Sequence, residues 1–233
     1  MRSVPVRWFV PAGLALVAMG ALAASAAAQC SNPAISLSAN VGTDGIVHAS
    51  TWWDPDGAGP AAPVVVLGGD FRVAGTVAAI DVATFDPATG TWGALPGLPT
   101  ASTSEVLALA VLPNGELVAG GALGFLGGVS TRNLVRWTGS SWATLGGGTN
   151  QTVRALLVDG GGGLVVAGPF TEAGGVAVSR IARFDGTAWS ALAGGLVGQI
   201  NTLALASNGD VLAAGGNLTT GNQSNIARWN GST

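Results

Sequence analysis

Three features of the 233-residue sequence predict an all-β fold built from repeated four-stranded antiparallel blades. Short apolar runs recur along it, 38 glycines punctuate them, and the order of runs and turns repeats with a period near 47 residues. Glycine is costly inside a helix and useful in a tight turn, so glycine scattered between short apolar runs speaks for strands. Four such runs in a unit of about 45–50 residues is the signature of a β-propeller blade.

The first element is a leader. "MRSVPVRWFVPAGLALVAMGALAASAAAQC" runs from two arginines through an apolar stretch to small residues, the order of a secretory signal peptide at 1–28 cut after Ala28. The alternative is an uncleaved anchor over Trp8 to Ala28. Either reading puts the rest of the chain in the secreted, periplasmic or cell-surface space. An N-terminal arm, 29–46, follows. It holds Cys30, the single cysteine, either a free thiol or one whose partner lies past residue 233. Gln29 directly before it does not fit a lipid-attachment signal.

The blades are predicted at 47–97, 106–147 and 153–194, with an incomplete fourth at 200–233. Their first strands are "VHASTWW", "VLALAVL", "VRALLVD" and "INTLALA"; Gly-rich or Asn-Gly turns lead to "VVVLGGDF", "LVAGGAL", "LVVAGPF" and "VLAAGGNL". Third strands are "VATFDPATG", "LVRWTGS", "IARFDGT" and "IARWNGS". The fourth set, "TWGALPG", "SWATLGG" and "AWSALAG", has no fourth member, because the chain stops first. The simplest reading is a fragment of a longer propeller. An incomplete ring leaves an open edge that invites self-association; the alternative is a short protein that closes by pairing two half-rings, or by lending residues 31–46 as the missing strand.

Repeat positions mark the structural residues. Gly68–Gly69, Gly120–Gly121 and Gly215–Gly216 end the second strands, where a side chain would block close approach. The third copy has Gly168–Pro169, a departure that suggests an edge or exposed turn. Trp92, Trp142 and Trp189 open the fourth strands and are expected to wedge between adjacent blades; Trp137 and Trp229 share a third-strand column with Phe184.

The first copy, "FDPATGTWGALPGLPTAS", resembles a kelch repeat, with its Gly-Gly pair, aromatic-Asp-Pro turn and later Trp. Copies of the form "VAGG…RNLVRWTGSSWATLGGG" are similar to repeats of fungal cortical cell-polarity marker proteins and of secreted bacterial proteins that share the pattern. The resemblance covers about residues 47–233 and implies a propeller. It implies no activity, since such blades carry unrelated functions.

Arg136, Arg183 and Arg228 form a column on the face opposite their aromatic neighbours. They read either as a guanidinium ring for anions or, the reading favoured because the first blade has Thr84 there, as cations stacked or paired within the fold. Arg132 and Arg180 read as solvated loop residues. "DPDGAG" at 54–59 echoes the start of a calcium loop but lacks its further ligands, so it reads as a turn. His48 is the single histidine, and the chain has no Tyr and no Lys. Tyrosine nucleophiles of sialidase type and tyrosine–cysteine redox centres are therefore absent from it, and no paired general acid and base is visible. The net charge of −3, with no basic run, argues against nucleic acid.

These observations predict a non-catalytic interaction or surface-structural module, with no cofactor or metal and an unknown protein or glycan as partner. A carbohydrate-binding propeller is the second reading, which uniformly buried tryptophans would undercut. A third is part of an enzyme whose catalytic residues lie outside these residues.

Overall fold

Each repeat becomes one antiparallel sheet. The computed structural model describes residues 42–95, 104–126, 129–130, 132–192, 194–220 and 223–231. The leader, Cys30 and the arm up to residue 41 lie outside the described residues, as do 96–103. Among the described residues there is no helix, and hence none long and apolar enough to cross a membrane.

The first blade has β1 (Ile46–Trp53), β2 (Val64–Asp70), a small hairpin of β3 (Val73–Ala74) and β4 (Val77–Ala78), then β5 (Val82–Asp86) and β6 (Thr91–Ala94). The sheet order is β1-β2-β5-β6. The second repeats it with β7 (Glu105–Val111), β8 (Leu117–Ala122), hairpin β9 (Phe125–Leu126) and β10 (Val129–Ser130), β11 (Leu134–Trp137) and β12 (Trp142–Thr144). The third has β13 (Ala155–Val158), β14 (Leu164–Ala167), hairpin β15 (Glu172–Ala173) and β16 (Val176–Ala177), β17 (Ile181–Phe184) and β18 (Trp189–Ala191). In the fourth, β19 (Val197–Leu205), β20 (Val211–Thr220) and β21 (Gln223–Trp229) form a three-stranded sheet. This is a β-propeller, with three four-stranded blades and a three-stranded fourth among the described residues. The innermost strands β1, β7, β13 and β19 lie side by side in that order.

The small hairpins were not legible as strands, since two-residue arms are too short to show alternation. Gly174 and Gly175, both at positive φ (56° and 86°), make the two-residue turn of one of them. The hairpins also tie in the segment that precedes a blade. Thr149 bridges to Ala173, and Asn150 Oδ1 accepts the N–H groups of Thr171 and Glu172 at 3.0 and 3.1 Å. Thr43 and Asp44 do the same for the first blade: Thr43 bridges to Ala74, and Asp44 Oδ1 accepts from Arg72 and Val73 at 2.8 Å. Part of the expected arm thus belongs to the first blade.

Consecutive blades bury apolar faces on each other. Trp53, Val66 and Val82 pack with Val106, Leu117 and Trp142 of the second blade. Val118 and Leu134 pack with Phe170, Phe184 and Trp189 of the third, and Val165 and Ile181 with Ile200, Val211 and Ala213 of the fourth. Each such Val, Leu, Ile or Phe side chain taken from water contributes about 1.5–3 kcal/mol before entropy.

The glycine columns explain how closely the strands approach. A Cβ on Gly69, Gly121, Gly168 or Gly215 would stand 1.8–2.1 Å from the carbonyl oxygen of Ile46, Glu105, Thr152 or Gln199. A Cβ on Gly68 or Gly120 would strike Val106 or Val153 of the next blade at 2.5 Å. Two sequence expectations are corrected here. Gly168 is buried, not at an exposed turn, and donates its N–H to Arg180 just as Gly69 and Gly121 donate to Asp81 and Asn133. In the fourth blade Gly215 takes the place of Gly69, while Gly216 meets nothing within 4 Å, so the pair is shifted by one residue.

The acceptors of those bonds share one backbone state. Asp81, Asn133 and Arg180, each just before a third strand, have φ of 61°, 66° and 65°, and Asn225 of the fourth blade has 74°. Asp and Asn tolerate this left-handed region, whereas Arg rarely adopts it. Arg180 is not a solvated loop residue either: its guanidinium donates to the Gly198 carbonyl at 2.9 Å.

Candidate functional site

The inner strands bend near their starts. The register between β1 and β2 shifts between Val47 and Ala49, that between β7 and β8 between Val106 and Ala108, and that between β19 and β20 between Ile200 and Thr202. A bulge leaves one residue unpaired and re-aims its side chain. Here those residues are His48, Leu107 and Asn201. Arg154, directly before β13, stands 47 residues from both Leu107 and Asn201 and fills the same place in the third blade.

These four positions meet in one groove of about 500 Å³, lined by His48, Glu105, Leu107, Ala122, Thr152, Arg154 and Asn201. It has two polar ends. At one, His48 Nε2 lies 2.7 Å from Glu105 Oε1, joining the first blade to the second. At the other, Arg154 donates to Asn201 Oδ1 at 3.1 Å, joining the third to the fourth, and Gln199 Nε2 donates to the same oxygen at 3.0 Å. Leu107 and Ala122 add apolar groups to the lining. All four blades contribute to it.

The opposite ends of the inner strands carry other clefts, and their polar groups are spent on the fold. Arg136 pairs with Glu116, Arg183 with Asp159 and Arg228 with Asp210, each acid lying in the turn between the first two strands of its own blade. This is the internal-pairing alternative for the arginine column. A cleft of about 650 Å³ between the third and fourth blades is lined by both Asp159–Arg183 and Asp210. Burial works against the Asp159 carboxylate, but bonds from Arg183 and from the N–H groups of Gly163 and Gly161 outweigh it and hold its pKa below the ordinary carboxylate range. The same bond raises the pKa of Arg183. Asp54 and Asp56 are likewise used locally, accepting from Asp56 N at 3.3 Å and Ala61 N at 3.0 Å, as in a turn. Among the described residues no group of three or more His, Cys, Asp or Glu is placed to hold a metal.

The aromatic columns sit in the joints. Trp137 and Trp142 face each other across β11 and β12 with centroids 5.4 Å apart, edge to face; Phe184 and Trp189 do so at 5.0 Å, and Phe85 and Trp92 at 4.9 Å. Trp142 and Trp189 each pack against the preceding blade. Trp229 lies half-buried on the joint of the third and fourth blades. Trp92 differs: among the described residues it packs on Phe71, Ala74 and Ala79 of its own blade.

None of the groove residues was singled out by the sequence as a site, and His48 was set aside as a lone histidine. The available signal was the contrast between columns. Val47, Val106, Val153 and Ile200 are alike and all apolar, whereas the adjacent His48, Leu107, Arg154 and Asn201 differ in every copy.

With this geometry in view, residues 130–233 match the family model of the Rax2 C-terminal beta propeller domain. The comparison with curated proteins finds no match. Among solved structures the chain is similar to the extracellular domain of a one component system of B. thetaiotaomicron (10% identity, TM-score 0.46, covering 78% of this chain and 21% of that one). It is also similar to that of a hybrid two component system of the same organism (14% identity, TM-score 0.48, 78% and 20%). A third is PorZ, a surface component of the type-IX secretion system of Porphyromonas gingivalis (14% identity, TM-score 0.40, 73% and 25%). The chain spans about a fifth to a quarter of the length of these solved chains.

Proposed function

We propose that this chain is a non-catalytic binding module, exported through the leader at 1–28, with first-blade chemistry of kelch type. One observation carries the reading: the repeated polar and aromatic columns are consumed by pairing and packing, while the non-repeated polar residues of four blades converge on one open groove. Uniform positions build the scaffold; divergent positions face the groove. This favours recognition through the groove by a protein segment or glycan. Burial of Trp137, Trp142 and Trp189 weighs against sugars stacking on that column.

The test is saturation-transfer NMR of the chain against panels of peptides and oligosaccharides. A bound ligand lost on His48→Ala or Asn201→Ala, without a change in melting temperature, supports the reading. Binding indifferent to both substitutions would overturn the groove, and conversion of the ligand to product would overturn its non-catalytic character.

A further inference from the structure

We propose that the groove takes its ligand by a carboxylate, anchored on Arg154 and Asn201, with Glu105 at the far end accepting from a ligand hydroxyl or amine. The inference rests on the groove being the binding face. Among the described residues Arg132 bonds to Glu172 at 2.8 Å, and Arg136, Arg183 and Arg228 bond to the turn acids. Arg154 differs. Its bond goes to the neutral amide of Asn201, and it takes part in none of the ion pairs found among the described residues. An amide positions a guanidinium without neutralising it, so its charge and remaining donors stay open to a ligand. A planar donor fork matches a carboxylate in two parallel bonds.

The arrangement around it is specific. Asn201 Oδ1 is shared by Arg154 and Gln199, which fixes the amide and the side chain it holds. Glu105, the carboxylate that lines the groove, is engaged by His48 at the other end. Leu107 and Ala122 lie in the same lining, which suits a ligand with a short apolar or ring body between a carboxylate and a donor. The groove's volume of about 500 Å³ holds a small molecule of one or two rings.

Two matched pairs test this by isothermal titration: glucuronate against glucose, and succinate against succinamide. At least one acid is expected to bind tenfold or more tightly than its neutral partner. Arg154→Gln is expected to abolish that preference, Arg154→Lys to keep part of it, and Arg132→Gln, whose guanidinium is outside the groove lining, to leave it whole. Glucuronate alone would identify a carboxylated sugar, succinate alone a small organic acid. Equal binding of acid and neutral partner that is still lost on Asn201→Ala would overturn the carboxylate and spare the groove. No binding of either acid would overturn the assignment, as would a preference that survives Arg154→Gln; binding indifferent to every groove substitution would overturn the groove as well.

Discussion

The indole nitrogen of Trp189 donates to the carbonyl of Gly146 at 2.7 Å, a bond from the third blade into the loop that leaves the second. The ring also lies against Gly174 of its own hairpin, where a Cβ would come within 2.2 Å of it. One side chain therefore ties together a strand, a hairpin turn and the neighbouring blade. Trp189→Ala is expected to destabilise by about 3–5 kcal/mol. Trp189→Phe keeps the packing but leaves the Gly146 carbonyl without that donor, for about 1–2 kcal/mol. Urea unfolding followed by far-UV circular dichroism measures both. A shift typical of a surface residue would remove Trp189 from the joint.

The glycine columns give a sharper contrast. Gly121→Ala drives a methyl against the backbone oxygen of Glu105, 1.9 Å away, which no rotamer can relieve. A loss of about 2–4 kcal/mol is expected. Gly216→Ala meets open space and is expected to change stability by less than about 0.5 kcal/mol. Equal costs would mean that the one-residue shift assigned to the fourth blade is wrong.

Asn133 holds a left-handed turn, with its side chain accepting from Leu123 N at 3.2 Å and donating to the Thr149 carbonyl at 3.1 Å. Asn133→Ala loses both bonds and adds the strain of alanine at φ 66°, so a cost of about 2–3 kcal/mol is expected. Asn133→Gly relieves the strain alone and is expected to fall between. Chemical denaturation of the two variants separates the contributions.

Acid should act through the depressed carboxylates. The N–H groups of Ala188 and Thr187, with the Thr187 hydroxyl, push Asp185 down to about 2, and Asp159 is also lowered. A carboxylate whose folded pKa lies below its unfolded value near 3.9 binds protons first in the unfolded chain. Its stabilisation is complete above about pH 4–5 and is lost as pH falls through the folded pKa. Stability is thus expected to fall between about pH 4 and pH 2, and Asp185→Asn to flatten that slope. Tryptophan fluorescence during acid titration reports it; a slope identical in the variant would count against the turn bonds.

Much of the scaffold was readable because it is repeated. Blade number, strand order and the aromatic and arginine columns follow from residues such as Trp142 and Trp189, which recur at fixed spacing, because packing one blade on the next imposes the same demand each time. The groove was not readable for the same reason. His48, Arg154 and Asn201 share no residue type, and the bulges that free His48 and Asn201 from the ladder leave no mark in local pattern. Arg180 was misread because its left-handed backbone and its bond to Gly198 leave no trace in local pattern.

The central claim is a division of labour between repeated residues that hold the blades and non-repeated residues that face the groove. It is tested most directly by the thermal unfolding of two triple variants, Arg136→Ala/Arg183→Ala/Arg228→Ala and His48→Ala/Arg154→Ala/Asn201→Ala. The first strips the partners from the turn acids Glu116, Asp159 and Asp210 and is expected to lower Tm by on the order of 5–10 °C, from roughly 1 kcal/mol for each screened pair and somewhat more at the less exposed Arg183–Asp159. The second removes one polar contact at each of two blade joints and is expected to lower Tm by less than half as much. The opposite ranking would contradict the account: the groove side chains would then be structural, and the arginine column the surface free to bind.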